Sequence, residues 1–330
     1  MVRTRIVCVS DTHNHSPKNG AFKLPKGDVL IHAGDLTNQG SLSELRRTVE
    51  WIEEADFEAK IVIAGNHDIT LDSQFYSSHG HTFHNQNLES PSECLSLFTS
   101  PSSSITYLNH QSTTIRLSNP DGPQTAFKVF GSPYSPRRGK WAFSYSPDSE
   151  DEARTLWSAI PADADIVVTH TPPFSHCDEV AGEGSVGCKI LQQTLAHVVR
   201  PRLAVCGHVH ESRGYERVRW AAAAPFPAEQ DSSAPPPPPA PGAELVSATR
   251  RGILPPQGSK KQCLIDLTGK RGEVRLDNDG AGSGRWETCV VNAAVMASHW
   301  PHRGGRKFWA PLVVDVDLPA AEEEWGKRRR

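Results

Sequence analysis

The chain has 330 residues, 37% of them hydrophobic, and a formal net charge of −3 at pH 7. This length allows one large domain or two modest ones with a substantial core. The near-neutral charge argues against a broad basic surface for nucleic acid, and no apolar run is long enough to cross a membrane.

The seven cysteines are dispersed without a C-x-x-C pair. This pattern is typical of reduced thiols in an intracellular compartment and not of a disulfide framework. The apolar stretch at residues 5–10 is too short for a signal peptide. We therefore expect an intracellular, cytoplasmic protein without membrane or nucleic-acid partners. The sequence does not indicate its oligomeric state.

Short apolar runs rich in β-branched residues recur along the chain, and a polar turn follows each of them. The runs that predict strands are 6–9, 28–32, 60–64, 127–130, 165–168 and 203–206. Apolar residues at helical spacing predict helices over 41–54, 149–159 and 186–199. This alternation predicts an α/β fold.

The composition changes at about residue 221. Residues 221–261 are rich in Pro, Ala, Ser and Gly and include consecutive prolines at 235–239. Such a segment buries too little apolar surface to order itself, so we predict a disordered insertion here. Apolar runs resume over about 263–318. We therefore expect a single domain over residues 1–330 that the insertion interrupts.

Side chains of the kinds that bind metal ions follow five of the predicted strands. The motifs are Asp11-Thr12-His13, Gly34-Asp35, Gly65-Asn66-His67-Asp68, His170 and Gly207-His208-Val209-His210. Ligands of α/β sheets gather at the carboxyl ends of strands, so these turns can converge. Carboxylate, amide and imidazole groups suit Mn, Fe, Zn or Mg ions. Glycines before Asp35, Asn66 and His208 permit tight turns beside an ion.

The chemistry of phosphate esters explains why two metal ions are expected. Two cations about 3.5–4 Å apart can neutralise a phosphodiester, generate hydroxide near neutral pH and hold the attacking and leaving oxygens in line. Such a centre needs a carboxylate that bridges both ions. Asp35 is the candidate for this position.

These motifs, in this order, resemble the calcineurin-like metallophosphoesterase superfamily over roughly residues 4–212. The chain is similar to its metallophosphoesterase-domain-containing branch, whose proteins resemble class III cyclic nucleotide phosphodiesterases. The likeness lies in segments 9–13, 60–67, 131–134, 169–173, 186–188 and 311–315. The resemblance implies a four-layer α-β-β-α sandwich of two mixed sheets flanked by helices.

The resemblance also implies roles for individual residues. Asp11, His13 and His210 would bind the first ion, Asn66, His170 and His208 the second, and Asp35 would bridge them, with Mn as the favoured metal. His67 would act as the general acid toward the leaving oxygen, oriented by Asp68. Some animal members of the branch have Gly in place of His208 and lose activity, so its presence here predicts a competent enzyme.

The sequence favours a metal-dependent phosphodiesterase that acts on a small phosphate ester or nucleotide, with cyclic nucleotides as candidates. A phosphomonoesterase and a non-catalytic scaffold protein of the same fold stay open as alternatives. A Ser/Thr protein phosphatase is disfavoured, because Asp35 is not followed by the Asp-Arg-Gly segment of that family.

An aromatic and basic stretch follows the fourth predicted strand. Tyr134, Trp141 and Phe143 stand beside Arg137, Arg138 and Lys140. One interpretation is a wall that stacks a base and attracts phosphate. Ordinary surface packing explains the stretch equally well.

Overall fold

The structure is a computed structural model, and it describes residues 1–221, 245–259, 261–270, 285–298, 302 and 305–321. Its strands are β1 (Val2–Val9), β2 (Val29–Ala33), β3 (Ala59–Ile63), β4 (Ile105–Tyr107), β5 (Gln111–Arg116), β6 (Ala126–Ser132), β7 (Ser135–Pro136), β8 (Ser144–Tyr145), β9 (Ile166–Thr169), β10 (Glu179–Val180), β11 (Gly184–Ser185), β12 (Leu203–Cys206), β13 (Gly214–Trp220), β14 (Val246–Arg251), β15 (Cys263–Asp266), β16 (Glu287–Asn292) and β17 (Leu312–Leu318).

The α-helices are α1 (Leu42–Glu54), α2 (Ser73–Phe83), α3 (Pro91–Thr99), α4 (Glu150–Trp157) and α5 (Lys189–Thr194). Short 3-10 turns cover Pro17–Asn19, Ile69–Leu71 and His210–Ser212, and a π-helical turn, Leu195–Val199, continues α5. The six predicted strands appear as β1, β2, β3, β6, β9 and β12. The three predicted helices appear as α1, α4 and α5, the last of which begins three residues later than predicted.

Two mixed sheets form the centre of the fold. The first has the strand order β15-β17-β1-β2-β3-β4, in which β1 to β4 are parallel and β17 runs antiparallel to β1. The second has the order β14-β13-β16-β12-β9-β6-β5, with a parallel centre from β16 to β6. The parallel strands bring several carboxyl ends to one edge of each sheet.

The sheets pack face to face around a continuous apolar core. Ile6 and Ile31 of the first sheet belong to the same buried cluster as Val129, Val168 and Val205 of the second. These strands are buried on both faces, which explains why their sequences are apolar runs without alternation.

Helices cover the outer face of each sheet. Leu45 and Trp51 of α1 and Phe98 of α3 pack on the first sheet, and Trp157 of α4 and Leu191 of α5 pack on the second. The predicted four-layer α-β-β-α arrangement is therefore confirmed.

Helix α1 has a well-formed start that matters for the site described below. The Ser41 side chain accepts a hydrogen bond from the Glu44 backbone N–H, and the Glu44 carboxylate accepts one from the Ser41 backbone N–H. This reciprocal cap satisfies backbone donors that the first turn leaves without partners. It also fixes the Glu44 carboxylate beside the loop that follows β2.

The prediction of disorder over 221–261 is wrong for part of that span. β14 pairs antiparallel with β13, with Thr249 opposite Val218, although its side chains are mostly exposed. The amino-acid composition of a segment indicates only how much apolar surface it can bury. An edge strand such as β14 is stabilised by backbone hydrogen bonds, which do not depend on composition. Residues 222–244 and residue 260 lie outside the described residues. The apolar runs predicted after the insertion contain β15, β16 and β17.

All seven cysteines are buried, and none of them forms a disulfide bond within the described residues. Within the described ranges, no helix combines the length and the apolar character that crossing a lipid bilayer requires.

Candidate metal centre

The loops after β1 and β2 are joined by backbone hydrogen bonds. The Asp11 N–H donates to the Gly34 carbonyl at 2.9 Å, and the His13 N–H donates to the Asp35 carbonyl at 3.1 Å. Because β1 and β2 are parallel neighbours, their carboxyl ends bring three predicted ligands, Asp11, His13 and Asp35, to the same edge.

The backbone at this edge is strained. Asp11, His13, Asp35 and His208 have φ angles of 55°, 42°, 50° and 66°. Residues other than glycine rarely adopt this left-handed backbone conformation, and each one that does so destabilises the fold by about 1–3 kcal/mol. Four of the seven predicted ligands therefore lie in conformations that the surrounding loops must enforce.

Two glycines let these loops approach the ligands closely. A Cβ atom on Gly65 would lie 2.3 Å from Asp35 Oδ1, and one on Gly207 would lie 2.3 Å from Asp11 Oδ2. Both distances are too short for real atoms. Glycine is needed at these two positions because of this close contact, and not because of the tight turn that the sequence suggested.

The first group of ligands consists of Asp11, His13 and His210, whose ligand atoms all lie within 4.8 Å of one another. His210 Nε2 lies 3.2 Å from Asp11 Oδ1 and 3.4 Å from His13 Nε2. The Thr37 carbonyl, 3.1 Å from His13 Nδ1, accepts the hydrogen of that nitrogen. The lone pair of His13 Nε2 is then free to face the group.

The second group consists of Asp35, His170 and His208, again with ligand atoms within 4.8 Å of one another. His170 is fully buried, and its Nδ1 lies 2.9 Å from the Ala33 carbonyl. That carbonyl accepts the Nδ1 hydrogen, so Nε2 faces the group. The amide oxygen of Asn66 lies 3.0 Å from this Nε2 and joins the group.

Asp35 lies between the two groups. Its Oδ2 atom is 3.7 Å from His13 Nε2, and its Oδ1 atom is 3.3 Å from His170 Nε2. One carboxylate oxygen therefore faces each group, as a bridging ligand requires. The structure brings together all seven residues that the sequence predicted as ligands: Asp11, His13, Asp35, Asn66, His170, His208 and His210.

Burial and neighbouring charges set the protonation states of these groups. Burial alone would raise the pKa of Asp35, but the charges of His170 and His67 outweigh it, and the pKa lies well below its usual value. Burial alone would lower the pKa of His170, but Asp35 raises it to about 9. Asp35 is therefore a carboxylate whose negative charge attracts cations.

His13, His208 and Asp11 have protonation states that suit metal binding. Burial alone would lower the pKa of His210, but Asp11 raises it, and a bound cation would displace the proton of this imidazole. Burial lowers the pKa of His13 to about 4 and that of His208 to about 3. Burial alone would raise the pKa of Asp11, but the charge and hydrogen bond of His210 outweigh it and lower the pKa to about 2. Neutral imidazoles and ionised carboxylates are the forms that bind divalent cations. Two imidazole nitrogens that face each other beside two buried carboxylates fit such ions.

His67 lies beside both groups and is held from two sides. Its Nδ1 atom is 2.7 Å from the Asn38 carbonyl, and its ring stacks on Trp141 at 3.9 Å between centroids and 28° between planes. Its backbone N–H donates to Asp35 Oδ1 at 2.9 Å. His67, His13 and Asp35 form a third group with the spacing of metal ligands.

The predicted orientation of His67 by Asp68 is wrong. Asp68 Oδ2 accepts hydrogen bonds from the N–H groups of Leu36 and Gly65, and Asp68 Oδ1 accepts from the Thr37 N–H and hydroxyl. Asp68 therefore fixes the loops after β2 and β3, while the Asn38 carbonyl orients the imidazole. Burial and the charge of Asp35 raise the pKa of Asp68 to about 7.

The sequence did not indicate that Asn38 orients His67. The contact is made by the backbone carbonyl, which every residue carries, so no residue type marks it. Its position depends on Glu44, whose Oε1 accepts hydrogen bonds from the Asn38 side-chain amide at 2.9 Å and the Asn38 N–H at 3.2 Å. The reciprocal cap at the start of α1 holds this Glu44 carboxylate in place.

The centre opens into a cleft of about 310 Å³. Arg138, Trp141, Val180 and Glu211 line it beside the ligands and His67. Trp141 and Arg138 thus have the position that the sequence suggested for a substrate wall. Phe143 does not, because it is only 3% exposed. Tyr134 packs against the apolar core, with its ring edge-on to that of Phe143.

Comparison with known proteins agrees with this geometry. A family model described as calcineurin-like phosphoesterase matches residues 4–212, which is more than half of the chain. The chain belongs to this family, so the predicted resemblance is confirmed. The family is one of phosphoester hydrolases that generally use divalent metals.

Two individual proteins are similar to this chain over most of the matched region. Human metallophosphoesterase domain-containing protein 1 is 36% identical over 222 residues, which cover 64% of this chain and 62% of that protein. A UPF0046 protein of Caenorhabditis elegans is 32% identical over 210 residues, which cover 64% of each chain. The name of the human relative matches the branch that the sequence motifs resemble. The chain spans less than two thirds of these relatives' lengths.

A probable rhamnogalacturonate lyase C of Emericella nidulans is 42% identical over 217 residues, which cover 66% of this chain. The matched segment makes up 18% of that protein. The lyase name therefore describes a protein most of which has no counterpart in this chain.

Proposed function

We propose that this chain is a two-metal phosphodiesterase that acts on a small phosphate ester or nucleotide. The position of Asp35 carries the proposal. Its two carboxylate oxygens face two separate groups of ligands, one around His13 and one around His170. A single ion would need only one of these groups, whereas a pair of ions needs a carboxylate between them.

Two divalent ions bound here would neutralise the phosphate and lower the pKa of a water molecule into the neutral range. The chain's own part is to hold the ligands in place. The carbonyls of Thr37 and Ala33 fix the rings of His13 and His170 with Nε2 toward the centre. Partners of this kind orient the ligands and set the basicity of the imidazoles.

His67 is the group suited to protonate the leaving oxygen. The Asn38 carbonyl accepts the hydrogen on His67 Nδ1, so Nε2 is the ring nitrogen available to the cleft. A proton held on Nε2 can pass to the leaving oxygen as the bond to phosphorus breaks. Trp141 covers one face of the ring and limits its rotation.

The size of the cleft supports a small substrate. A cavity of about 310 Å³ is at the lower end of the range for small-molecule sites. Cyclic nucleotides are candidate substrates, and manganese is the candidate metal because the mixture of carboxylate, amide and imidazole ligands suits it.

The test is hydrolysis of bis-p-nitrophenyl phosphate by protein reconstituted with manganese. We expect turnover with manganese, loss of turnover with a chelator, and recovery when manganese is added again. A panel of cyclic nucleotides, diesters and monoesters then defines the substrate class. Faster hydrolysis of p-nitrophenyl phosphate than of the diester would favour the phosphomonoesterase alternative. No turnover with any divalent ion would favour a non-catalytic scaffold.

A further inference from the structure

An ion pair lies at the mouth of the metal cleft. The Arg138 guanidinium, from the turn after β7, donates to a carboxylate oxygen of Glu183, from the tip of the β10–β11 hairpin. The two side chains are 49% and 53% exposed. Ion pairs between exposed, flexible side chains are weak and are screened by salt. A ligand with a stronger interaction can therefore separate this pair at little cost.

The hairpin that carries Glu183 is attached to a loop of the metal centre. Glu211 accepts a hydrogen bond from the Ala181 N–H at 2.9 Å, and the Ser212 hydroxyl donates to the Glu179 carbonyl at 2.6 Å. Glu211 and Ser212 are the two residues that follow His210 in the chain. The Glu183 carboxylate is thereby kept beside the cleft, where it competes with any anion that reaches Arg138.

Arg138 is the permanent cation of the cleft wall. Of the described residues that line the cleft, only Arg138 carries a guanidinium or ammonium group. Glu211, which also lines the cleft, accepts the Ala181 N–H and holds the hairpin. A guanidinium presents two parallel N–H donors that match the oxygens of a phosphate group. Arg138 can therefore bind phosphate oxygens that the metal centre does not hold.

We propose that Arg138 is a phosphate-binding residue that leaves Glu183 when an anionic substrate enters, and that Glu183 sets the phosphate affinity by competing for it. This inference rests on the proposed phosphoesterase function. It adds a residue that determines substrate affinity, from a segment far in sequence from every ligand motif. The charge-assisted contact to phosphate is stronger than the exposed contact to Glu183, so substrate entry favours the exchange.

The experiment measures inorganic phosphate binding to manganese-loaded protein by calorimetry at low ionic strength. Arg138→Ala should weaken binding about 10- to 100-fold, as expected for loss of a charge-assisted bidentate contact. Glu183→Gln should tighten binding about 2- to 5-fold, because an exposed competitor is removed. The double variant should bind like Arg138→Ala alone, since Glu183 acts only through Arg138.

A second exposed pair provides matched controls. Arg46 and Glu93 are 2.9 Å apart and 60% and 51% exposed, on helices α1 and α3. Arg46→Ala and Glu93→Gln should leave phosphate binding unchanged. Manganese content is measured in every variant, so that lost phosphate binding is not confused with lost metal.

Two results would overturn the inference. Unchanged phosphate affinity in Arg138→Ala would show that Arg138 does not bind the anion. Weaker binding in Glu183→Gln would show that Glu183 holds Arg138 in position and does not compete. Turnover of bis-p-nitrophenyl phosphate by the wild type is judged separately. Phosphate binding through Arg138 without any turnover would reject the phosphodiesterase and leave the present inference intact.

Discussion

Two polar regions of this molecule differ in which groups surround their buried carboxylates. The first is the metal centre, and the second is the cluster of His176, Glu216 and Arg251 at the edge of the second sheet. Glu216 is 2% exposed, with one oxygen 3.0 Å from His176 Nδ1 and the other 3.0 Å from Arg251 Nε. Both oxygens have a donor within the chain, so this carboxylate is satisfied by its neighbours.

The metal centre differs because groups of the same kind face one another. His13 Nε2 and His210 Nε2 face each other at 3.4 Å, and the carboxylates of Asp11 and Asp35 are buried beside them. Like groups that converge on one point are stabilised by a cation and not by one another. Like groups that face one another, and not the mere burial of polar side chains, therefore distinguish a site built for a ligand from a structural polar cluster.

The largest expected effect tests the part of the centre that is not a ligand. His67→Ala should lower kcat by about 10²- to 10⁴-fold, the usual contribution of a general acid. Both manganese ions should stay bound, because the seven ligands are unchanged. The measurements are steady-state hydrolysis of a cyclic nucleotide, whose alkoxide leaving oxygen needs a proton, and metal content by elemental analysis.

The chain offers a matched histidine for this test. His79 also stacks on an aromatic ring, that of Phe75, at 4.7 Å and 14°, but it is not among the residues that line the cleft. His79→Ala should keep full activity. Loss of one manganese ion in His67→Ala would show instead that His67 is a ligand, as its spacing from His13 and Asp35 allows.

The next largest effect is the stabilisation of the fold by metal ions bound at the centre. At manganese concentrations 100-fold above the dissociation constant, a bound ion should raise the free energy of unfolding of the wild type by about 2.7 kcal/mol. Asp35→Asn should lose most of this gain, because the bridging charge is removed. Chemical denaturation with and without manganese measures both values.

Asp178→Asn serves as the control for a buried carboxylate outside the centre. Asp178 Oδ2 accepts hydrogen bonds from the N–H groups of Ser175 and Gly187. This variant should be less stable than the wild type but should keep the full gain from manganese. An equal gain in Asp35→Asn and the wild type would contradict the bridging role.

The paired cluster should respond to pH and not to metal. Burial alone would raise the pKa of Glu216, but hydrogen bonds from His176 and Arg251 outweigh it, and the pKa lies below its usual value. A depressed pKa stabilises the fold above the unfolded value of about 4.3, and this stability is lost as pH falls through the folded value. Glu216→Gln should therefore cost about 1–3 kcal/mol at pH 7.

The difference between Glu216→Gln and the wild type should shrink as pH falls from about 5 toward 3, since Glu216 becomes protonated in the wild type. Urea denaturation at several pH values measures it. The gain in stability from manganese should be equal in the two proteins. A difference that does not vary with pH, or a smaller gain from manganese in the variant, would remove the distinction between the two regions.

The convergence of the seven predicted ligands could be predicted because each combines a distinctive side chain with a place after a strand. Asp35 and His208 illustrate this, since each follows an apolar run that forms a parallel strand. The core was predictable for a related reason, because strands buried on both faces need continuous apolar runs.

The supporting contacts could not be predicted from sequence patterns. Asp68 follows His67 in the chain, yet its side chain bonds to Leu36, Thr37 and Gly65, while the Asn38 carbonyl holds the imidazole. Adjacent residues direct their side chains differently, and a backbone carbonyl has no residue type. The edge strand β14 escaped prediction because its stabilising contacts are also made by the backbone.

The smallest effect concerns Trp141, for which the sequence suggested stacking on a base. In the structure its ring stacks on His67 instead, 3.9 Å away. An aromatic pair of this kind contributes about 0.5–1.5 kcal/mol, so Trp141→Ala should lower kcat about 2- to 10-fold.

This loss should appear in kcat for a nucleotide, whose alkoxide leaving oxygen needs the general acid. The Michaelis constants of the nucleotide and of a small aryl phosphate should stay unchanged, because Trp141 acts through His67. Trp141→Phe keeps a ring against His67 and should retain most of the activity. A residue that stacks on the base would behave differently. Its removal would raise the Michaelis constant of the nucleotide and leave that of the aryl phosphate unchanged. Comparing the two substrates in Trp141→Ala therefore separates support of His67 from recognition of a base.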